Sequence, residues 1–208
     1  MMYISNTTMK EFTDPSEKPS TAKEFWLWFA SESANLKAMD PAKMMQLLGF
    51  QVADFAKDVI FGVFTAEIDE VWTLEISAGG VEATISQVFS LTESAPNIPG
   101  WEFVAFKQAG GLNSIKFNGI DLDFSAIRAV LVRSDGPRQN VILYMPIPED
   151  TPIEKCQELG FIALDHTIGE YNVMTKIGQI WYENIANAHE FSFPLTDLPN
   201  LWADDNLD

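Results

Sequence analysis

The sequence contains few of the residues that most often build a reaction centre. Among its 208 residues there is one cysteine, Cys156, and there are two histidines, His166 and His189. A lone cysteine rules out an intramolecular disulfide and a multi-cysteine zinc site, and it fits a reducing compartment. The histidines share no H-x-x-x-H or H-x-E spacing, and the chain has no G-x-S-x-G or P-loop segment. We therefore expect no bound metal and no cofactor.

Basic residues and long apolar runs are also scarce. Thirteen Lys and Arg stand against thirty Asp and Glu, which gives a formal net charge of −17. Such a charge repels a phosphate backbone and an anionic lipid surface, so nucleic acid and membrane are disfavoured as partners. No uninterrupted apolar run reaches roughly 18 residues, and the first residues lack the apolar run of a signal peptide. These features predict a soluble, cytoplasmic protein.

The composition nevertheless provides for a large core. Hydrophobic residues form 47% of the chain, which suits one large domain or two closely packed subdomains. Thr21, followed three residues later by Glu24, predicts one helix start, and Asp40-Pro41 predicts another. Alternation in GVFTAEID and VWTLEISAGG predicts an antiparallel hairpin. VEATISQVFSLTESAP predicts an amphipathic helix, and NIPGWEFVAFKQ a turn followed by a strand.

Further strands are predicted in the second half of the chain. They are Asn113 to Phe117, Phe124 to Val132, the apolar NVILYMPI and the late segment NVMTKIGQIWYENI. Between the last two, a helix is expected to begin near Asp150 and Pro152 and to end near Ile168. Its expected inner face carries Ile153, Cys156, Leu159, Ile162 and Ala163. Gly169 is well placed to follow the helix, because a positive φ costs glycine little.

The order of these elements predicts an α+β fold. Residues 1–20 are expected to form a flexible lead-in, residues 21–190 a single α+β domain, and residues 191–208 an acidic C-terminal tail. Residues 62–107 and 114–185 each contain strands, a helix and a further strand, without a detectable sequence repeat. The preferred arrangement is a mainly antiparallel sheet with helices on one face, built from split β-α-β, ferredoxin-like units.

The segment LDHTIGEY holds a histidine with two acidic neighbours. His166 falls in the last turn of the predicted helix, where the helix carbonyl groups favour a protonated imidazole. A general base needs an orienting carboxylate, but Asp165 points about 100° away around the helix. Glu170 lies beyond the helix end and could fold back. A structural role for His166 is the first interpretation, and a pair of His166 and Glu170 is the catalytic alternative.

Aromatic residues supply the other candidates for a site. In FWLWF, Trp26 lies off the stripe formed by its aromatic neighbours, so it is either buried from a second side or anchors a partner protein. A binding rim is also conceivable where Ser77 to Gly80, Trp101, Glu170 and Tyr171 would converge. The candidate binding residues are thus Trp26, Ser77, Gly79, Trp101 and Tyr171.

FWLWF, LEISAGG, LTESAPNIPGWEFVAFK and LDHTIGEY together resemble the landmarks of an uncharacterised bacterial family, a domain of unknown function. Members of that family carry a similar F-W-x-W-F opening, an I-S-A-x-G strand end, an A-P-x-x-P-x-W-x-x-x-A-F segment and a late G-E. The likeness covers about residues 22–182. It implies an α+β domain without an established activity, and it supplies no catalytic residue for this chain.

Charge, aromatic content and the missing motifs favour a non-enzymatic interaction or binding domain whose acidic surface meets a basic protein partner. An immunity-like or antitoxin-like protein is one alternative, by analogy with small acidic bacterial proteins. A small-ligand hydrolase that uses Glu170 and His166 is another. A homodimer built through an exposed strand or through the FWLWF helix is a third.

Overall fold

The computed structural model describes residues 19–65, 71–110, 113–117 and 119–203, and its fold is α+β. The helices are α1 (Ala22–Lys37), α2 (Pro41–Val52), α3 (Ile85–Glu93), α4 (Ile153–Ile168), α5 (Glu170–Lys176) and α6 (Leu198–Ala203). The strands are β1 (Ile60–Thr65), β2 (Trp72–Ser77), β3 (Trp101–Ala105), β4 (Ser114–Phe117), β5 (Ile120–Asp123), β6 (Arg128–Val132), β7 (Gln139–Met145), β8 (Ile177–Asn184) and β9 (Phe193–Pro194). The fold class predicted from the sequence is confirmed.

The chain divides into two compact units, residues 1–106 and 107–208. Capping determines where the helices of the first unit begin. Thr21 Oγ accepts a hydrogen bond from the Glu24 N–H at 3.3 Å before α1, and Asp40 Oδ1 accepts one from the Lys43 N–H at 3.2 Å before α2. Each cap satisfies a donor that the first helical turn leaves unpaired. Both predicted helix starts are confirmed.

The sheet of the first unit has the order β1-β2-β3. Strands β1 and β2 form the predicted antiparallel hairpin, and residues 66–70 between them lie outside the described residues. Strand β3 runs parallel to β2 and is its direct neighbour, with α3 in the connection. A split β-α-β unit would place another strand between the parallel pair, so the ferredoxin-like arrangement is not confirmed.

The second unit has a β4-β5 hairpin and a separate sheet in the order β8-β7-β6-β9. Strands β6 and β7 are antiparallel, and β8 is parallel to β7 with α4 and α5 in the connection. The order of hairpin, helix and parallel strand is therefore the same as in the first unit. Fully buried residues of α4 and the sheet form its core, among them Ala129, Val141, Leu143, Met145, Leu159, Ala163 and Leu164.

Three expectations for the second half require correction. The segment predicted as a strand from Phe124 begins with a 3₁₀ turn, Phe124–Ala126, and strand β5 precedes it. The first residues of NVMTKIGQIWYENI belong to α5, so the last long strand begins at Ile177. Ile153 does not lie on the inner face of α4, because its side chain is 52% exposed.

Part of the predicted C-terminal tail belongs to the core of the second unit. Phe193 and Pro194 pair with β6, and Leu195 and Leu198 are fully buried. Residues 1–18 of the predicted lead-in and residues 204–208 of the tail lie outside the described residues. Within the described ranges, no helix is long and apolar enough to cross a membrane.

Candidate functional site

The junction of α4 and α5 gathers polar side chains inside the second unit. Asp165 and His166 lie in the last turn of α4, and Glu170 is the first residue of α5. These residues are 6%, 4% and 0% exposed, respectively. Gly169 joins the two helices with φ 83° and ψ 142°, a conformation that is strained for any residue with a Cβ. The tight link is what places Glu170 close to the end of α4.

The segment Lys107–Gly110 lies against this junction. The Lys107 N–H donates to Glu170 Oε2 at 3.0 Å, and the Glu170 N–H donates to the Lys107 carbonyl at 2.9 Å. Lys107 Nζ forms an ion pair with Asp165 Oδ2 at 3.1 Å. The Gly110 N–H donates to the His166 carbonyl at 2.7 Å. Both the backbone of the segment and the Lys107 side chain are therefore held in place by contacts with α4 and α5. We call this arrangement the Lys107 clamp.

The surroundings change how the clamp residues bind protons. The pKa of Asp165 is raised from 3.8 to about 6, chiefly by burial; the Lys107 ammonium offsets part of this rise, and the Glu170 carboxylate adds to it. Burial lowers the pKa of His166 below its ordinary 6.5, and the positive charge of Lys107 acts in the same direction. The expectation of a protonated imidazole at the helix end is therefore wrong, because desolvation outweighs the attraction of the helix carbonyl groups.

His166 and Glu170 lie in the same region without forming a catalytic pair. Neither ring nitrogen of His166 has a hydrogen-bond partner, and its ring stacks on Phe124 with the ring centres 6.0 Å apart. The Glu170 carboxylate accepts from the backbone of Lys107 instead. General-base catalysis requires a histidine oriented by a partner and within reach of a proton, and this buried ring has neither contact.

The sequence drew attention to Asp165, His166 and Glu170 but did not identify Lys107 as their partner. His166 and Glu170 stand out locally because they flank a helix end. Lys107 is separated from Asp165 by 58 residues and from Glu170 by 63. No local pattern marks such a partner, because the contact depends on where the chain enters the second unit.

The expected binding rim does not assemble within the first unit. Trp101 pairs with Trp72 at the start of β2, whereas Ser77 ends that strand. At about 3.3 Å per residue, the five intervening steps separate Trp101 from Ser77 by roughly 16 Å. Ser77 Oγ instead accepts from the Gly79 N–H at 3.0 Å, and Gly79 has φ 60°. These two residues shape the turn after β2. Tyr171 is an exposed residue of the second unit.

The aromatic candidates of the first unit form its core. Trp26 is 2% exposed, and its Nε1–H donates to the Leu91 carbonyl at 2.8 Å. The ring lies edge-on to Phe103 of β3, with the ring centres 4.4 Å apart. Trp101 is also buried and lies edge-on to Phe29. Trp26 therefore cannot act as the exposed anchor of a partner protein, because packing and a hydrogen bond use its whole surface.

An exposed surface that the sequence did not identify runs along α4. Ile153 and Phe161 are 52% and 43% exposed on this helix, and Glu154 and Glu158 are exposed beside them. The four positions fall within an arc of about 140° at 100° per residue. The exposed Glu149 and Asp150 immediately precede the helix. The acidic α4 face is defined here by Glu149, Asp150, Ile153, Glu154, Glu158 and Phe161.

Within the described ranges, no three His, Cys, Asp or Glu side chains are grouped as a metal site would require. Comparison of the chain with protein-family models, with curated proteins and with solved structures gave no match.

Proposed function

We propose that this chain is a non-enzymatic interaction domain that binds a basic protein segment through the acidic α4 face. The observation that carries the proposal is the exposure of two large apolar side chains, Ile153 and Phe161, among carboxylates on one helix. Apolar anchors supply most of the affinity of a protein interface, while surrounding charges select the partner and speed its approach. A lysine-rich amphipathic segment has the matching chemistry.

A structural explanation accounts for only part of this face. Carboxylates near the start of a helix interact favourably with its dipole, which is sufficient for Glu149, Asp150 and Glu154. It does not explain Glu158 in the second turn, and it does not explain why Ile153 and Phe161 face solvent. An immunity-like or antitoxin-like role, together with the resemblance to the bacterial family, would be one form of this proposal, with a basic toxin as the partner. The net charge of −17 supports that form.

The test measures binding of a synthetic amphipathic helical peptide made of lysine and leucine. Glu154→Lys with Glu158→Lys reverses the charge of the α4 face. Glu93→Lys with Glu102→Lys changes the net charge equally at exposed positions of the first unit. We expect the α4 variant to bind the peptide at least about tenfold more weakly, while the control variant stays close to the wild type.

A second variant measures the contribution of an apolar side chain to peptide binding separately from that of the charges. Phe161→Ala should weaken peptide binding without changing its salt dependence, since no charge is removed. Amide shifts in NMR spectra should map the peptide to α4. Equal losses in the two charge variants, or shifts spread evenly over the surface, would show that only the overall charge attracts the peptide, and the proposal would then fail.

A homodimer through β8 is a second candidate. This strand lies at the outer edge of its sheet, Trp181 is 40% exposed, and residues 177–182 carry no charge. Uncharged edge strands pair readily with another strand. Light scattering should then report a dimer that Trp181→Lys disperses, whereas a monomeric wild type at high concentration would end this candidate.

A further inference from the structure

The exposed part of α4 is short. Its exposed residues lie between Ile153 and Phe161, and from Ile162 to the end of the helix every residue is buried or half-buried. At 1.5 Å per residue, the exposed stretch is about 12 Å long. A partner that covers the acidic α4 face therefore contacts a strip of about two turns, and a second helix laid along α4 has the shape to cover it.

The carboxylates of this face are concentrated at the N-terminal end of α4. They belong to two residues before the helix, one in its first turn and one in the next turn, which are Glu149, Asp150, Glu154 and Glu158. No carboxylate of α4 is exposed beyond Glu158. Lys155 is half-buried and points about 100° away from Glu154 around the helix. The negative charge of the face is therefore distributed unevenly along the helix.

The backbone of α4 is also polarised at this end. The first N–H groups of a helix have no partner within it and give that end a partial positive charge. No side chain caps the first turn of α4, where Pro152 precedes the helix. The carbonyl end of a neighbouring helix carries the opposite partial charge, and lysine side chains are most favourable near that same end. The C-terminal end of a partner helix therefore suits both the backbone and the carboxylates here.

We propose, on the basis of the function proposed above, that the partner segment is a helix with lysine or arginine near its C-terminal end, and that it binds antiparallel to α4. Its C-terminal end then lies beside Glu149 and Asp150, and its apolar side chains meet Ile153 and Phe161. A spacing of about 12 Å between these two anchors matches partner residues roughly seven or eight positions apart. A second copy of this chain does not fit, because two acidic faces repel one another.

Two stapled helical peptides, acetylated and amidated at their ends, test the orientation on the full chain. Both contain two leucines about seven positions apart and the same number of lysines. The lysines occupy the last two turns of one peptide and the first two turns of the other. Circular dichroism verifies that the two are equally helical, so their affinities report the position of the charges. We expect the peptide with C-terminal lysines to bind at least about threefold more tightly.

Paramagnetic broadening in NMR spectra determines the direction of the bound helix. A nitroxide label on the C-terminal residue of the tighter peptide should broaden the amide signal of Glu154 more than that of Phe161. A label on its N-terminal residue should give the reverse pattern.

A pair of matched variants tests the contribution of the N-terminal end of the face. Glu149→Gln with Asp150→Asn should reduce the difference in affinity between the two peptides. Glu93→Gln with Glu102→Gln removes the same charge at exposed positions of the first unit and should leave that difference unchanged.

The outcomes separate this inference from the proposed function. Equal affinities of the two peptides, or a reversed broadening pattern, would overturn the antiparallel orientation, and the interaction domain would stand if Glu154→Lys with Glu158→Lys still weakened both peptides. If that charge reversal weakened neither peptide, the proposed function would fail, and the orientation would fail with it.

Discussion

Glu170 shows how a single buried carboxylate can serve the fold instead of catalysis. It is completely buried, and its Oε2 accepts from the Lys107 N–H at 3.0 Å, while its own N–H donates to the Lys107 carbonyl. A hydrogen bond to a charged group contributes about 1.5–3 kcal/mol, and losing one partner leaves the other unsatisfied. The residue that the sequence offered as a catalytic candidate thus anchors the chain where it enters the second unit.

This role predicts unequal effects for two substitutions of Glu170. Glu170→Ala should lower the free energy of unfolding by about 2–4 kcal/mol, because it leaves a cavity and removes the acceptor of the Lys107 N–H. Glu170→Gln retains an oxygen acceptor and should cost about half as much. Urea denaturation measures both, with Glu93→Ala as an exposed control expected within about 0.5 kcal/mol of the wild type. Equal losses for Ala and Gln would contradict the hydrogen-bonding role.

His166 predicts a stability difference that grows in acid. Its pKa is lower in the folded chain than the ordinary 6.5, so below about pH 6.5 the unfolded chain binds a proton that the folded chain does not. The stability contributed by neutral His166 is therefore complete above pH 6.5 and is lost as the pH falls. His166→Phe, which retains a ring beside Phe124, should be more stable relative to the wild type at about pH 5 than at about pH 8. Thermal unfolding at the two pH values measures this, and equal stability differences between His166→Phe and the wild type at both pH values would contradict it.

The pH dependence of wild-type stability alone would not reveal the contribution of His166, because Asp165 opposes it. The pKa of Asp165 is about 6 in the folded chain against an ordinary 3.8, so the folded chain binds a proton first and gains stability as the pH falls through 6. Asp165 and His166 therefore act in opposite directions on global stability between about pH 4 and 6. Variants that remove one group at a time separate the two contributions.

At the scale of elements, the α4–α5 link rests on Gly169. Gly169→Ala places a Cβ on a residue with φ 83°, which should lower the free energy of unfolding by about 1–3 kcal/mol. The cost should arise from backbone strain, because the nearest atom to that Cβ, the Lys107 carbonyl oxygen, would be 3.5 Å away. Gly136→Ala, at a glycine without a positive φ and with its nearest neighbour at 3.6 Å, is the matched control. If the two variants proved equally stable in chemical denaturation, the strain argument would be wrong.

Elements with local signals were predicted well from the sequence. The caps at Thr21 and Asp40 and the helix end at Gly169 each depend on neighbouring residues, and the structure confirms all three. Residues 172–176 of α5 are predicted from the sequence as the start of a strand, and Val173 and Thr175 are β-branched residues that favour strands. In the structure Val173 and Met174 are buried, and the Glu170 N–H donates to the Lys107 carbonyl. These contacts favour the helix at this position. Tertiary contacts therefore override the strand propensity of NVMTK.

The candidate site was predicted only in part for the same reason. The pattern around His166 indicated a helix end with acidic neighbours, and that much is correct. The partner of Asp165 is distant in sequence, so neither the clamp nor the loss of charge on His166 could be inferred. The acidic α4 face was missed because Ile153 was placed on the inner stripe by its spacing alone. Helical spacing identifies which residues share one apolar face of a helix. Whether the first residue of that face is buried depends on how other elements pack against the first turn.

At the scale of the whole molecule, the two units share one order of elements although their sequences show no repeat. In each, an antiparallel hairpin is followed by helical structure and a strand parallel to the second hairpin strand. Buried strands of this kind require only apolar side chains on the face that meets the helices, which many sequences satisfy. The arrangement constrains the buried residues and leaves the exposed residues free to vary. The acidic α4 face is made of such exposed residues.

The net charge makes a prediction for the entire chain. At −17, carboxylates repel one another in the folded state, and the repulsion weakens when salt screens it. Adding NaCl at about pH 8 should raise the thermal midpoint by a few degrees, since about 1 kcal/mol corresponds to roughly 2–4 °C in a chain of this size. Near pH 4.3, the isoelectric point, the same salt should have little effect because the net charge is close to zero. Each salt effect is measured at constant pH, so titration of Asp165 and His166 does not enter the comparison. Equal increases at both pH values would instead indicate a general effect of NaCl on apolar burial, and self-repulsion would then not limit the stability of this protein.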